Sequence, residues 1–115
     1  IAAPLSPLMA GTTELPGAVP GRDMVVLYDE RMPMDPAALQ RLESAGARCL
    51  PLGGDPVRLW RGESADLLCA RGTRLLGMTR WADLLMVRGL AAESGRRLQF
   101  EKLDPTTGVF TWLIA

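Results

Sequence analysis

Apolar positions follow two rhythms along this chain, and glycine and proline mark where one gives way to the other. Met24-Val25-Val26-Leu27-Tyr28 is a continuous apolar run closed by Asp29-Glu30-Arg31. Such a run, rich in β-branched residues and charged only at its end, is the pattern of a strand buried on both faces, as in a parallel sheet. Asp35-Pro36 then signals a helix start: the aspartate caps free N–H groups and proline suits the first helical position. Ala38, Leu39, Leu42 and Ala45 recur at three- and four-residue steps, which predicts a helix over 36–45 closed by Gly46. Residues 47–52 form the second predicted strand. After Gly53-Gly54, Asp55-Pro56 opens a second helical region over 56–71, broken at Gly62. The third strand covers 73–78, Thr79 caps a helix over 80–94, and Gly95 ends it.

The last section alternates. Leu98 and Phe100 are separated by Gln99, the pattern of a half-exposed strand, and Asp104-Pro105-Thr106-Thr107-Gly108 is turn chemistry before a final strand over 109–114. A loop this short makes the last two strands antiparallel. The expected fold is therefore a small three-layer α/β/α domain. Its sheet is mostly parallel in the order 2-1-3-4, with an antiparallel C-terminal strand at the edge. This single domain occupies 23–115. Residues 1–22 read differently. Pro4, Pro7, Pro16 and Pro20 alternate with Gly11, Gly17 and Gly21, which predicts an extended arm.

Composition narrows the function classes. Thirteen basic and thirteen acidic residues give a net charge near zero, which makes no electrostatic case for nucleic acid. No apolar run approaches the ~20 residues of a membrane helix. There is no histidine, which removes the commonest general base and every His-containing triad. Cys49 and Cys69 fit neither a redox nor a zinc spacing, and whether they pair stays open. The opening Ile1-Ala2-Ala3-Pro4 has the small-residue character of a leader-cleavage site. It favours a periplasmic or exported location over the cytoplasm.

In a sheet of this kind ligands bind beyond the strand C-termini, where the strand order reverses. That crevice receives Asp29, Glu30 and Arg31 from the first strand and Gly77, Met78, Thr79 and Arg80 from the third. Asp29, Gly77, Thr79 and Arg80 are the candidate ligand-binding set: a carboxylate, a small residue, a hydroxyl and a cation beside a helix N-terminus. Asp29 and Glu30 are adjacent, so their side chains leave the strand on opposite faces. The dinucleotide glycine fingerprint and the phosphate-binding loop are both missing, and no serine lies in a nucleophile elbow. No catalytic residue, metal ligand or cofactor is assigned.

The strings Gly54-Asp55, Leu59-Trp60, Leu76-Gly77-Met78-Thr79, Gly95-Arg96-Arg97 and Phe110-Thr111-Trp112-Leu113-Ile114-Ala115 together resemble a group of small uncharacterised bacterial proteins. Their pattern is GD–LW, GLT, GxR and SWVIA, often behind an export leader. The resemblance covers 24–115. It departs at Leu84-Leu85-Met86, where members carry a cysteine, and in lacking a histidine after the fourth strand. It implies a bacterial origin and an export route, and transfers no function.

Three readings follow. The first is a non-catalytic accessory subunit that binds another protein or a second copy of itself. It would dock through Leu5, Leu8, Met9 and Leu15 of the arm and through Phe110 and Trp112 of an exposed edge strand. The second is a domain binding a small anion at the Asp29–Arg80 crevice. The third is a metal-dependent enzyme at the same crevice.

Overall fold

A computed structural model describes residues 23–115. The arm, with Leu5, Leu8, Met9 and Leu15, lies outside the described residues. The elements are β1 (Met24–Tyr28), α1 (Pro36–Ser44), β2 (Arg48–Pro51), α2 (Pro56–Arg61), α3 (Ala65–Cys69), β3 (Arg74–Thr79), α4 (Trp81–Ala92), β4 (Leu98–Leu103) and β5 (Phe110–Ile114). Both Asp-Pro starts behave as chemistry demands. The Asp35 carboxylate accepts the N–H of Ala37, and Asp55 accepts those of Val57 and Arg58. The predicted break at Gly62 separates α2 from α3.

The sheet is mixed, in the order β2-β1-β3-β5-β4. β1 pairs in parallel with β2 and β3, whereas β5 runs antiparallel to both β3 and β4. This corrects two expectations: the sheet is not mostly parallel in the order 2-1-3-4, and the C-terminal strand is not its edge. The short loop does pair β4 with β5 antiparallel, but it leaves open which of them joins β3. Hydrophobicity decides. Trp112, Leu113 and Ile114 are buried and face both sides of the sheet, so β5 is covered on both edges and both faces. β4 carries Gln99, Glu101 and Lys102 and takes the solvent edge, where charge discourages further pairing.

The core has two halves, one on each face of the sheet. Met24, Val26, Leu76, Met78 and Leu113 pack with Ala38 and Leu42 of α1. Val25, Leu27, Leu75, Trp112 and Ile114 pack with Trp60 of α2, Leu68 of α3, and Leu84, Val87 and Leu90 of α4. The β1–β2 crossover thus runs over one face and the β2–β3 crossover over the other. β1 and β3 consequently flank the point where the chain changes side.

Two side chains on the second face fix its geometry. Gly77 lies directly opposite Trp112, and a Cβ added to Gly77 would sit 1.8 Å from the indole ring. The absent side chain is what lets the ring lie against the strand. The Trp112 Nε1–H donates to Thr79 Oγ1 at 3.0 Å, and the Thr79 hydroxyl donates in turn to the Arg80 carbonyl at 2.9 Å. Elsewhere on this face the buried Arg96 guanidinium donates to the carbonyls of Leu68 and Ala70 at the end of α3. Those carbonyls have no partner within so short a helix.

The two cysteines are free. Cys49 lies half-buried on β2, and burial pushes its thiol up to about 11. Cys69 is exposed at the end of α3. Titration with an aromatic disulfide at pH 8 is expected to show one fast thiol, abolished by Cys69→Ser, and one that reacts only on unfolding. Two fast thiols would contradict this placement.

Candidate functional site

The polar cluster at the strand C-termini grows from the parity of β1. Val25 and Leu27 face the side covered by α2 to α4, so Asp29, two residues on, points the same way. Its backbone N–H continues the ladder to the Met78 carbonyl at 3.0 Å, tying the end of β1 to β3. Asp29 is completely buried, and a buried carboxylate demands donors. Arg31 supplies three: its backbone N–H and Nε reach Oδ1, both at 3.0 Å, and Nη2 reaches Oδ2 at 3.2 Å. Arg80 adds a fourth contact, Nε to Oδ2 at 3.3 Å. The Arg31 hydrogen bonds hold the Asp29 carboxyl below its ordinary value of 3.8, against burial, which alone would raise it.

Asp83 completes the group. It occupies the first turn of α4, and Arg80 is the N-cap with no side-chain cap of its own. The backbone N–H of Arg80 favours the charged Asp83 carboxylate, the sense expected for an acidic residue at the third helical position. Its Oδ2, however, is buried and has no hydrogen-bond partner among the described residues. Arg80 Nε stands 4.0 Å from it, too far for a hydrogen bond. Burial first, and the Asp29 charge second, raise the Asp83 carboxyl above 3.8, and Arg80 pulls in the opposite direction. Arg31 is thus held on Asp29 through Nε and Nη2, and Arg80 stands beside both acids through Nε, with side chains 52 % and 53 % exposed.

The neighbouring β2 terminus frames the site. Gly53 and Gly54 both have positive φ, 71° and 82°, the conformation glycine adopts without steric cost. The Gly53 N–H donates to Glu30 at 3.2 Å, and the Cβ position of Gly54 is 3.7 Å from Arg31 Nη1. Beyond this loop an open groove of about 560 Å³ runs between Pro51, Asp55, Arg58, Leu59 and Ser64.

The structure brings Asp29 and Arg80 together as the sequence led us to expect. Gly77 and Thr79 lie near them in the chain, but they are committed to Trp112. Thr79 is fully buried at the end of β3 and does not cap α4. Arg31 and Asp83 were not in the candidate set. Arg31 follows Asp29 by two residues, and Asp83 sits one helical turn after Arg80, the one acidic residue of a largely apolar helix. That acidic residue was the available signal. Of the interface candidates, Phe110 is half-buried and Trp112 fully buried in an interior strand, so the edge-docking premise falls with the corrected strand order.

No protein-family model, curated protein or solved structure matches this chain. The chemistry of the site must therefore be read from its own residues. Two carboxylates beside each other would ordinarily invite a divalent cation. Here the Arg80 guanidinium already stands next to both. Among the described residues no three His, Cys, Asp or Glu side chains are grouped to hold a metal ion. No helix among them is long and apolar enough to cross a membrane.

Proposed function

We propose that this chain is a non-catalytic binding domain for a small anion, held by Arg31 and Arg80 at the change-of-side point between β1 and β3. The observation that carries this reading is the pair of half-exposed guanidinium groups braced on the buried Asp29 carboxylate. A guanidinium has five N–H donors. Arg31 spends two on Asp29, and Arg80 meets the same carboxylate as an ion pair through Nε, leaving the other donors for a carboxylate or phosphate. Two hydrogen bonds to Asp29 fix Arg31 before the ligand arrives, which lowers the entropy lost on binding, while Arg80, held by one ion-pair contact, keeps room to adjust. The first turn of α4 points further N–H groups toward the same region, and the partial positive charge there adds to the field.

The test is differential scanning fluorimetry with inorganic phosphate and propionate at fixed ionic strength. Either anion is expected to raise the melting temperature of the wild type. Arg80→Ala and Arg31→Ala are each expected to weaken binding on the order of tenfold or more, the effect of losing one charge-assisted hydrogen bond. Anion stabilisation that survives both substitutions would refute the reading.

Partner binding keeps one supporting observation. α4 exposes an apolar patch beside Arg88, where Trp81, Leu85 and Met86 are 53 %, 43 % and 44 % exposed, and a contiguous exposed apolar patch marks an interaction surface. On this second reading the cover is a second copy of the chain. Light scattering on the full chain is then expected to give twice the chain mass, and Leu85→Glu half of that. A monomer at high concentration would remove the reading.

A further inference from the structure

Building on the anion reading, we propose that the ligand is an α-hydroxy or α-amino carboxylate, whose hydroxyl or ammonium group donates to Asp83 Oδ2 while its carboxylate lies on Arg80 and Arg31. The Asp83 side chain is nine-tenths buried, 10 % exposed, and its Oδ2 has no hydrogen-bond partner among the described residues. A carboxylate oxygen left without a donor in a buried position is costly, and nothing nearby is placed to supply one. The nearest cation, Arg80 Nε, stands 4.0 Å away and is engaged with Asp29 at 3.3 Å.

Arg80 is the neighbour shared by the two halves of such a ligand. Its side chain is 53 % exposed, and a guanidinium can give a carboxylate two parallel hydrogen bonds. Asp83 Oδ2 stands 4.0 Å from its Nε. A donor one carbon from the carboxylate spans that short distance once the half-exposed Arg80 side chain shifts. A plain anion does the opposite. Propionate or dianionic phosphate offers Asp83 no proton, and its charge is repelled by the same oxygen. The site as built thus discriminates between an anion and an anion with an adjacent donor, the kind of selectivity that a buried hydrogen-bonding group confers.

Isothermal titration of the full chain with L-lactate, L-alanine and propionate separates the possibilities, since these share a three-carbon skeleton. L-lactate or L-alanine is expected to bind on the order of 10- to 100-fold more tightly than propionate, one charge-assisted hydrogen bond's worth. In Asp83→Leu, which removes the acceptor altogether, the preference should collapse to within about twofold while propionate binds as well as before or better. Asp83→Asn keeps only a neutral acceptor, so there the preference should shrink severalfold, which serves if the leucine variant folds poorly. Equal affinities in the wild type, or a preference that survives both substitutions, overturn this inference and leave the anion reading standing. If propionate, lactate and alanine all fail to bind the wild type, both fall.

Discussion

Gly77→Ala is expected to cost about 3 kcal/mol or more, toward the upper end of what overpacking a core inflicts, and to lower the urea midpoint accordingly. The Cβ would meet ring atoms of Trp112 at 1.8, 1.9 and 2.4 Å, distances no small backbone adjustment can relieve. The indole would have to leave its place, and three things would go with it. The ring is the largest fully buried side chain of the domain. Its N–H would lose Thr79 Oγ1. β3 and β5 would lose their closest contact in the middle of the sheet. The diagnostic is a double variant. Trp112→Leu alone should be destabilising, about 2–4 kcal/mol, through lost burial and a cavity. Adding Gly77→Ala to it should cost little further, because the methyl then enters vacated space. Additive losses would show that the ring is not what makes glycine necessary.

The second large effect is at Asp29. Asp29→Ala removes the anion that holds Arg31 and Arg80 in place. Breaking a buried ion pair by deleting one partner costs about 3–5 kcal/mol. Because both arginines are half exposed and can return to water, the expected loss is nearer 2 kcal/mol. The pH dependence follows from the two acids, with opposite signs. Asp29 has its carboxyl lowered below 3.8 in the folded chain, so its contribution is present above that pH and is lost as pH falls through the folded value. Asp83 has its carboxyl raised above 3.8. The folded state then binds the proton more tightly than the unfolded one. Its contribution is greatest below 3.8 and declines as pH rises toward the folded value. Chemical denaturation between pH 3 and pH 8 is expected to show the acid-side fall weakened in Asp29→Ala. The decline above pH 4 should be weakened in Asp83→Asn, which should be more stable than the wild type at pH 7. A steeper acid-side fall in Asp29→Ala, or an Asp83→Asn chain less stable at pH 7, would contradict these signs.

The elements of this fold were readable because local chemistry and periodicity agree. Asp35-Pro36 and Asp55-Pro56 start helices where their caps predict, and the strand Met24–Tyr28 carries its own boundaries. The sheet order was not readable in the same way. Pairing between β5 and β3 is a contact between residues 31 to 39 positions apart, and no local signal encodes which strand of a hairpin turns inward. The apolar excess of Phe110–Ile114 was visible, and its meaning, a central strand instead of an edge open to a partner, depends on what lies on both sides. The site divides similarly. Asp29 and Arg80 could be placed together from the rule that ligands sit beyond strand C-termini. Gly77 and Thr79 share that address, but their environment is set by Trp112, more than thirty residues further on. Asp83 is recognisable only once α4 is known to start at Trp81, because its role depends on helical phase beside a buried carboxylate.

The proposed anion site lies between Arg31 and Arg80 at the ends of β1 and β3. Amide chemical-shift mapping during titration with L-lactate at constant ionic strength tests it most directly. The account predicts saturable shifts confined to residues 29–31, 53–54 and 80–83, absent in Arg80→Ala. Shifts scattered over surface arginines such as Arg58 and Arg88, or none at all, would contradict it.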